Sequence, residues 1–549
     1  MSTSTPAPRL PPVLRPEHPP VRALAGFADR FADEVLGDIA GRVLTGVTLA
    51  TSDLRPGDVF VGVSGANRHG ADFARAAADA GAVAVVTDRD GTAAAAESGL
   101  PVIVVADPRA RLGAMAAWVY GTGAADRLPL LLGTTGTNGK TSVSHLAEGM
   151  LRRLGMVTGL SSTAERHIAG EVIVSRLTTP EATEFHALLA VMRERGVQAV
   201  AVEVSAQALS RRRLDGVVFD VAAFTNLSHD HLDDYADMDA YLAAKLMLFT
   251  ADRARRAVIS LDSPAGSVVA ARCEVPLVTV GTPAIAADPV LAAGADWTVE
   301  ILDEAPDGTR FAVSGPPGRL VTTVPVIGRH MAANAGQAVA MLVAAGVEWT
   351  DLVSALEGGR IPAYLPGRTE RVSGNRGPAV YVDFGHSPDA FEKTLAAVRH
   401  VTPGRVLMLV GADGDRDATK RADMGRTAAE GSDILVITDH HPRHEDPGRI
   451  RAALLAGARR ARPDGTILEI SPPERAIREA VALVGEGDAI LWAGPGHQDY
   501  RDIRGVRVPY SARELARRAL RDAGWSPPEP QWPVPYPPDE TPWSDTDPA

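Results

Sequence analysis

Short runs rich in Val and Ile alternate with alanine-rich stretches along most of the chain. Apolar runs of this length are typical of strands buried on both faces, and the alanine-rich stretches are typical of the helices that cover a parallel sheet. The alternation therefore predicts an α/β fold. Each predicted strand ends at Gly, Asp, His or Ser, and ligands of open α/β sheets bind in the crevice beyond the carboxyl ends of the strands.

The predicted strands form three groups along the chain. A chain of 549 residues is long enough for about three or four ordinary domains. We place the domains at residues 23–127, 128–358 and 359–525, with a predicted hairpin (TRFAVSGPPGRLVTTVPVIG) inside the second.

Both ends of the chain are rich in proline, which cannot continue a helix or a strand ladder. We therefore expect residues 1–22 and 526–549 to be disordered. The tail carries Trp532, Tyr536 and Trp543 among its prolines. Binding of this segment to a partner as a polyproline ligand is the alternative.

Charge and hydropathy exclude several classes of protein. The formal net charge is −12 without a long Lys/Arg block, which argues against a nucleic-acid partner. The single cysteine, Cys273, excludes intrachain disulfides and fits a reducing compartment. The N-terminus lacks the apolar segment of a secretory signal, and no apolar run reaches the roughly 18–20 residues that span a bilayer. We expect a cytoplasmic monomer that binds no membrane.

The segment LLLGTTGTNGKTSVSHLAEGM predicts a strand, a glycine-rich turn and a helix in succession. The glycines allow the turn to point its N–H groups at phosphate oxygens. Lys140 supplies a positive charge, and Thr141 can place its hydroxyl on Mg²⁺. Thr134 stands where the strict phosphate-loop pattern has its first glycine. The predicted ATP loop comprises Gly136, Thr137, Asn138, Gly139, Lys140, Thr141 and Ser142.

This loop and the motifs that follow it resemble the Mur ligase family. The loop has the form TGTNGKTS, and the later segments are LTTPE, EVSAQAL, TNLSHDHLD, AAKLMLF, GRHMAAN, LPGRTERV, VDFGHSPDA, GADGDRDATKRADMG, HPRHEDP and GPGHQDY. They lie between about residues 43 and 510 and are most similar to the MurE branch. Folylpolyglutamate and cyanophycin synthetases share the loop but not the full set.

The resemblance implies a three-domain architecture and an activity. A central P-loop ATPase-type domain with a mostly parallel sheet would be flanked by an N-terminal α/β substrate domain and a C-terminal Rossmann-like α/β domain. The activity would be ATP-dependent amide formation, through an acyl phosphate, between the carboxylate of a UDP-N-acetylmuramoyl-L-alanyl-D-glutamate-like acceptor and the amine of an amino acid. This reaction extends the peptidoglycan stem peptide.

Several residues match the family's nucleotide and metal positions. Glu203 closes a predicted strand, where its carboxylate suits a hard cation, and Glu203 and His231 match Mg²⁺ ligands. Lys245 lies on a largely apolar helix, and burial would lower its pKa and leave a nucleophilic amine that can capture CO₂. The matching lysine of the family is a carbamate that holds Mg²⁺. Asn334 and Asp383 match nucleotide contacts, although both residue types are also common helix caps.

The positions that match the family's acceptor site are partly altered. They are Leu49 and Thr51 for uracil, and Thr178, Thr179, Ser205, Arg211 and Arg213 for the sugar-peptide. The family's Asp-Ser-Arg is Ala50-Thr51-Ser52 here, its Ser-Ser-His is Ser205-Ala206-Gln207, and its usual Gln is Arg211. These changes leave the acceptor's identity open, though not its anionic character.

The incoming amino acid would be bound by Arg416 and Arg443, which match arginines that fork onto carboxylates. The family's Asp-Asn before Pro-Arg is His440-His441, and its Gly-Lys-Gly-His-Glu runs from Gly494 to Gln498. The neutral Gln498 cannot pair with a distal ammonium as Glu would. A transition-metal site at His440, His441 and His444 is disfavoured, because adjacent histidines on a strand point apart.

Other classes of function stay open at this stage. A MurE-like ligase recruited to another metabolite would explain the altered positions, and a non-catalytic Mur-like scaffold could act through the tail. A P-loop kinase or GTPase would need other base-recognition and switch motifs, which are not evident. The amino acid, the acceptor, the oligomeric state and the role of the tail are not determined by the sequence.

Overall fold

The structure, a computed structural model, describes residues 13–65, 67–123, 126 and 128–529. Three α/β units follow one another along the chain, each built on its own sheet of five, eleven or six strands. The predicted three-domain α/β architecture is confirmed. None of the helices in these ranges combines the length and apolar character that crossing a bilayer requires.

The N-terminal unit is a five-stranded sheet in the order β2-β7-β6-β5-β4, parallel except for β2. Its strands, with the short pair β1 and β3, are β1 (Arg22–Ala23), β2 (Glu34–Leu36), β3 (Val43–Leu44), β4 (Gly46–Thr48), β5 (Asp58–Gly62), β6 (Ala84–Thr87) and β7 (Val102–Val104). Its helices are α1 (Leu24–Phe31), α2 (Ala74–Asp79), α3 (Thr92–Ala96) and α4 (Pro108–Tyr120), with 3-10 turns at Thr51–Asp53 and Gly70–Phe73.

Part of the proline-rich N-terminus packs onto this unit. Val13 is buried, and Arg15 pairs with Asp58 at 3.3 Å with both side chains almost fully covered. The backbone N–H groups of Glu17 and His18 donate to Glu194 of the second unit. The expectation of disorder is therefore wrong for residues 13–22, because the prolines leave side chains between them free to pair. Residues 1–12 and 530–549 lie outside the described part of the chain. The tail's Trp532, Tyr536 and Trp543, on which the alternative of a polyproline ligand rests, therefore lie outside it too.

The central unit is an eleven-stranded sheet in the order β11-β10-β9-β12-β8-β13-β14-β15-β16-β17-β18. The strands from β9 to β16 in this order are parallel, and two antiparallel strands extend each edge. The strands are β8 (Leu130–Thr135), β9 (Thr158–Ser161), β10 (Glu165–Ile168), β11 (Glu171–Val174), β12 (Ala199–Glu203), β13 (Val221–Phe224), β14 (Ala257–Ser260), β15 (Leu277–Gly281), β16 (Trp297–Ala305), β17 (Gly308–Gly315) and β18 (Gly318–Val324). The last two form the predicted hairpin.

Helices cover both faces of this sheet. They are α5 (Lys140–Arg153), α6 (Ala182–Glu194), α7 (Ala206–Ser210), α8 (Met238–Leu246), α9 (Pro264–Arg272), α10 (Pro289–Ala293), α11 (Arg329–Ala344) and α12 (Trp349–Leu356), with a 3-10 turn at Met247–Phe249. Consecutive residues of β8 face opposite sides: Leu132 packs in a cluster with Val143, and Leu131 packs in another with Phe219. Each such buried side chain contributes about 1.5–3 kcal/mol, which explains the continuous apolar run.

The C-terminal unit is a six-stranded sheet in the order β19-β20-β24-β21-β22-β23, parallel except for β19. Its strands are β19 (Glu370–Arg371), β20 (Ala379–Asp383), β21 (Val406–Val410), β22 (Ile434–Ile437), β23 (Thr466–Glu469) and β24 (Ala489–Ala493), followed by the hairpin β25 (Tyr500–Ile503) and β26 (Val506–Pro509). Its helices are α13 (Pro388–Val401), α14 (Arg421–Gly431), α15 (Pro447–Ala461), α16 (Pro473–Ala482) and α17 (Ala512–Asp522).

The strand registers place polar side chains at the carboxyl edge of each sheet. Glu203, the last residue of β12, pairs with Thr134 of the neighbouring β8, directly before the glycine turn. Asp383 ends β20 beside Ala493, the last residue of β24. These two edges border one cavity, as expected for ligand sites of open α/β sheets.

Candidate active site

A cavity of about 1530 Å³ lies between the central and C-terminal units. It brings together most of the residues that the sequence singled out. Those that line it are Thr137, Asn138, Gly139, Lys140, Thr141, Ser142, Thr178, Glu203, Ser205, Arg211, Arg213, His231, Lys245, Asn334, Asp383, Arg416, His440, Arg443, Gly494 and Gln498. Side chains separated by hundreds of residues in the chain therefore share one space.

The glycine turn between β8 and α5 depends on the absence of side chains at two positions. Gly136 has φ +148°, and a Cβ there would lie 1.9 Å from Thr225 Oγ1. Gly139 has φ +88°, and its Cβ would lie 2.7 Å from Asn334 Oδ1. Both conformations disfavour other residues. Lys140 bends back over the turn and donates from Nζ to the carbonyls of Gly136 and Thr137 at 3.0 and 2.8 Å.

Thr141 and Glu203 meet beside this turn. Thr141 donates from Oγ1 to Glu203 Oε2 at 2.9 Å, and the backbone N–H of Thr163 donates to the same oxygen at 2.8 Å. Arg368 of the C-terminal unit donates to Thr141 Oγ1 at 2.8 Å and stacks over Phe384 at 4.4 Å. A hydroxyl and a carboxylate therefore lie together within reach of one cation.

Lys245 is buried on α8, as expected, with 1% of its surface exposed. Its Nζ donates to the Gly136 carbonyl at 2.8 Å and lies 4.1 Å from the centre of the Tyr241 ring. Burial, reinforced by the nearby Lys140 charge, holds the pKa of Lys245 well below its ordinary value. This environment favours the neutral, nucleophilic form of the amine over the charged form.

His231 lies across the turn in a left-handed backbone conformation, with φ +59°. The Gln207 amide contacts its Nδ1 at 2.9 Å. Burial lowers the pKa of His231 to about 4, so the ring is a neutral imidazole able to donate a lone pair to a metal. Together with Asp233 and Asp234 it forms a group whose ligand atoms lie within 4.8 Å of one another.

Asn334 and Asp383, the two expected nucleotide contacts that could also be helix caps, have different surroundings. Asn334 lies on α11 against the glycine turn and lines the cavity. Asp383 accepts at Oδ1 from the N–H and hydroxyl of Thr369 at 2.7 and 3.1 Å, and at Oδ2 from Gly385 at 2.5 Å. Its carboxylate therefore already shapes the local backbone at the edge of the cavity.

The expected acceptor positions divide into two sets. Thr178, Ser205, Arg211 and Arg213 line the cavity. Thr179 does not: it is fully buried and donates to the Glu203 carbonyl at 2.8 Å, so its expected contact with the acceptor is corrected to a structural hydrogen bond. The structure does not bring Leu49 and Thr51 to the cavity, since both lie on the N-terminal unit beside its first 3-10 turn.

The expected amino-acid positions surround the far end of the cavity. His441 is the exception, because it is buried behind Gln498, whose Oε1 lies 2.9 Å from His441 Nε2. The expectation that His440 and His441 point apart is wrong: both follow β22 in a loop, and their ring centres are 4.2 Å apart. His444 instead pairs with Asp415 at the exposed surface.

Sequence reasoning missed an ion pair that joins the two units. Lys420 donates from Nζ to Asp230 Oδ1 at 2.6 Å, and both side chains are more than nine-tenths buried. His386 Nε2 lies 3.6 Å from the other Asp230 oxygen. Although burial alone would raise the pKa of Asp230, His386 and Lys420 hold it far below its ordinary value. All three residues, and Arg368, stand inside the segments that carry the family resemblance, but no local pattern pairs them.

Three family models match the chain. They are described as Mur ligase middle domain (residues 134–342), Mur ligase, glutamate ligase domain (367–496) and Mur ligase family, catalytic domain (43–120). The UDP-N-acetylmuramyl-tripeptide synthetase of Leifsonia xyli subsp. xyli is 56% identical over 517 residues, covering 94% of this chain and 99% of the relative. The UDP-N-acetylmuramoyl-L-alanyl-D-glutamate–2,6-diaminopimelate ligase of Streptomyces coelicolor is 41% identical over 510 residues, covering 91% and 98%.

Solved structures share the fold. One of a UDP-N-acetylmuramoyl-L-alanyl-D-glutamate–2,6-diaminopimelate ligase has a TM-score of 0.60 at 24% identity, covering 90% of this chain and 98% of that one. The ADP complex of the MurF ligase from Thermotoga maritima has a TM-score of 0.58 at 18% identity, covering 87% and 97%. The similarity extends over all three units.

Proposed function

The chain belongs to the Mur ligase family, and on that premise we propose that it joins the carboxylate of UDP-N-acetylmuramoyl-L-alanyl-D-glutamate to the amine of a free amino acid. It is an ATP-dependent ligase of the MurE type, which serves peptidoglycan synthesis. One observation supports the assignment most strongly. Lys140, Glu203 and Lys245 converge on the glycine turn in the same cavity that Arg416 and Arg443 line.

The chemistry requires a leaving group, because a carboxylate is a poor electrophile. A carboxylate oxygen of the acceptor attacks the γ-phosphorus of ATP, the bond to the β,γ-bridging oxygen breaks, and ADP leaves. The amine of the amino acid then attacks the carbonyl carbon of the acyl phosphate, and phosphate leaves as the amine loses a proton. Both attacked and attacking groups are anionic in the first step, so positioning and cationic groups supply most of the rate enhancement.

The glycine turn and its neighbours would provide those cationic groups. In such loops the N–H groups of the turn and of the start of the following helix point at phosphate oxygens. Lys140 adds a positive charge, and its Nζ donates here to two carbonyls of the turn. Arg368 reaches the same place from the C-terminal unit. It would bring a second charge to the γ-phosphate when the two units are together.

The donors beside the turn suit a hard divalent cation. We propose that Thr141, Glu203, His231 and a carbamate on Lys245 hold Mg²⁺, since hydroxyl and carboxylate oxygens already lie 2.9 Å apart there. When bound, Mg²⁺ would offset the charge of the phosphates and of the attacking carboxylate. The neutral amine of Lys245 can add to CO₂ and supply a further anionic ligand.

The two joined substrates would occupy opposite ends of the cavity. Thr178, Ser205, Arg211 and Arg213 would hold the anionic sugar-peptide, and Leu49 and Thr51 would bind the uracil from the N-terminal unit. Arg416 and Arg443 would hold the amino acid, and His440, Gly494 and Gln498 line the same cavity beside them. ATP would lie between them at the turn, with Asn334 and Asp383 at its nucleoside.

Phosphate release tests the proposal. Purified protein is given ATP, Mg²⁺, UDP-N-acetylmuramoyl-L-alanyl-D-glutamate and single amino acids, and the products are identified by mass spectrometry. We expect phosphate and a new UDP-linked tripeptide only when acceptor and amino acid are both present. Phosphate release independent of both would identify an ATPase instead, and no release at all would indicate a non-catalytic scaffold.

The Lys420–Asp230 pair provides a prediction about the assembly of the two units. Lys420→Met leaves Asp230 buried without its cation, and an unpaired buried charge costs about 3–5 kcal/mol. Because the pair forms only when the units are in contact, we expect the loss to appear as at least about a 10²-fold lower kcat/KM and as a larger radius of gyration of the ligand-bound protein in small-angle scattering.

Two further variants check this explanation. Asp230→Asn combined with Lys420→Met should recover part of the loss, because neither charge is then left alone. Arg426→Met, on the exposed side of the same helix α14, should behave as the natural protein does. Unchanged kinetics and scattering for Lys420→Met would show that the pair does not hold the units together.

A further inference from the structure

Asp413 lies at the far end of the cavity, in the loop that follows β21. Its backbone is fixed from two sides. Arg421 donates to the Asp413 carbonyl at 2.8 Å, and the N–H of the next residue, Gly414, donates to the His441 carbonyl at 2.7 Å. A Cβ on Gly414 would lie 2.0 Å from the Pro442 carbonyl oxygen. The loop therefore holds the Asp413 carboxylate in a set position between the loops after β22 and β24.

The Asp413 carboxylate is not matched by the protein around it. Oδ1 is buried, and no residue in the described part of the chain donates a hydrogen bond to it. The nearest cationic atom is Arg443 NH2, 3.6 Å from Oδ2, and His440 Nε2 lies 3.5 Å from Oδ1. Although burial alone would raise the pKa of Asp413, the nearby Arg443 guanidinium helps to hold it below its ordinary value. A buried anionic oxygen without a donor is costly, so it is suited to a ligand that brings one.

Three side chains near Asp413, those of His440, His441 and Gln498, carry no charge. Burial lowers the pKa of His440 to about 3, so its ring is neutral. His441 Nδ1 accepts from the Asp502 N–H at 2.8 Å, so the ring proton lies on Nε2 and is donated to Gln498 Oε1. Since the Gln498 oxygen is used in this way, its amide NH₂ is left as a neutral donor. Among these side chains, Asp413 is therefore the one that offers an anionic group.

Arg443 and Arg416 are the arginines expected to bind substrate carboxylates, and each already lies near an aspartate. Arg443 lies beside Asp413, and the Asp413 carboxylate partly offsets the positive charge of Arg443. Arg416 faces the central unit, with NH1 3.6 Å from Asp233 Oδ2. A substrate with a second carboxylate near Asp413 would meet like charge. A substrate with an ammonium group there would receive an anionic partner.

From this geometry we infer that Asp413 is a specificity residue: it selects an incoming amino acid with one carboxylate and a cationic side chain, and it disfavours amino acids with a second carboxylate at the side-chain end. The inference rests on the proposed ligase function. Asp413 would supply the anionic partner for a distal ammonium group, a role that the neutral Gln498 cannot fill. It also predicts that this chain differs from the relatives whose names specify 2,6-diaminopimelate.

The test compares amino acids with the full-length protein, ATP, Mg²⁺ and UDP-N-acetylmuramoyl-L-alanyl-D-glutamate. We expect kcat/KM for the best of lysine, ornithine and 2,4-diaminobutyrate to exceed that for diaminopimelate at least about 10-fold. Asp413→Asn should lower kcat/KM for that amino acid by about 10–100-fold, the effect of losing one charged hydrogen bond, and raise the relative use of diaminopimelate. Asp415→Asn, two residues away and outside the cavity, should change neither value.

Hydroxylamine separates failure of this inference from failure of the ligase proposal. It intercepts an acyl phosphate as a hydroxamate without an amino acid, so Asp413→Asn should form hydroxamate at the natural rate. No hydroxamate from the natural protein would refute the ligase itself. Hydroxamate formation together with equal or better use of diaminopimelate, or an equal loss for all amino acids in Asp413→Asn, would refute the role of Asp413.

Binding of a transition metal at Asp413 would also overturn its proposed role in amino-acid selection. Asp413, His440 and His441 place ligand atoms within 4.8 Å of one another, which could instead suit a transition metal. Protein treated with a chelator is titrated with Zn²⁺ in a calorimeter, and its amino-acid selectivity is measured with and without the metal. Selectivity unchanged by Zn²⁺ supports direct recognition by Asp413, whereas selectivity that appears only with bound Zn²⁺ refutes it.

Discussion

Lys140→Met is expected to lower kcat/KM for ligation by about 10³-fold or more, equivalent to about 4 kcal/mol of transition-state stabilisation. Methionine keeps the length and apolar stem of lysine but removes the charge that the glycine turn directs toward the phosphates. Its loss leaves the repulsion between the γ-phosphate and the acceptor carboxylate less offset. The measurement is phosphate release together with nucleotide binding by calorimetry, and both should weaken.

Folding can be checked separately, because the hydrogen bonds of the Lys140 side chain within the described ranges go to the carbonyls of the turn itself. We expect the thermal unfolding midpoint of Lys140→Met to stay close to that of the natural protein. Arg152→Met, on the exposed side of the same helix α5, is the matched control and should retain full activity. Ligation by Lys140→Met within tenfold of the natural rate would contradict the assignment of the turn to ATP.

Lys245→Met is expected to abolish ligation, with a loss of about 10³-fold or more, and added bicarbonate should not restore it. The natural protein should lose activity when CO₂ is removed and regain it with bicarbonate, because the neutral amine forms a carbamate reversibly. The fraction of neutral amine grows as pH rises through the lysine pKa. Since burial lowers that pKa well below its ordinary value, the carbamate should form at a lower pH than it would on an exposed lysine.

A second variant distinguishes a carbamate from a simple positive charge. Lys245→Arg keeps a cation but cannot form a carbamate, because guanidinium stays protonated. It should therefore be as inactive as Lys245→Met, while Asp239→Asn on the exposed first turn of α8 should be fully active. Carbon-13 NMR of protein held in labelled bicarbonate should show a carbamate signal that Lys245→Met lacks. An active Lys245→Arg without that signal would rule the carbamate out.

Local sequence determined the fold class and the nucleotide turn. Runs such as LPLLLG can be buried only between two helical layers, and Gly136 and Gly139 adopt backbone angles that other residues disfavour. Proline content was a weaker guide: it predicted disorder for residues 13–22, yet Arg15 is buried against Asp58. Composition records which residues cannot form regular structure, but not which side chains find a partner.

The resemblance singled out many candidate site residues without showing what their side chains contact. It identified Glu203, and the structure adds that its carboxylate bonds the Thr141 hydroxyl. It suggested Thr179 for the acceptor, whereas the hydroxyl of this threonine is buried on a backbone carbonyl. A matched position fixes where a residue lies along the chain. The partner of its side chain depends on its neighbours in space.

What the sequence by itself determined is therefore the α/β class, the three groups of strands, the glycine turn and the candidate positions Lys140, Glu203, His231 and Lys245. Only the tertiary structure decided the pairing of Lys420 with Asp230, 190 residues apart, and the unmatched oxygen of Asp413. The physical reason is the separation along the chain over which each kind of interaction acts. Backbone angles and hydrophobic periodicity act over a few residues, whereas ion pairs and buried unpaired atoms arise only when separate sheets pack against each other.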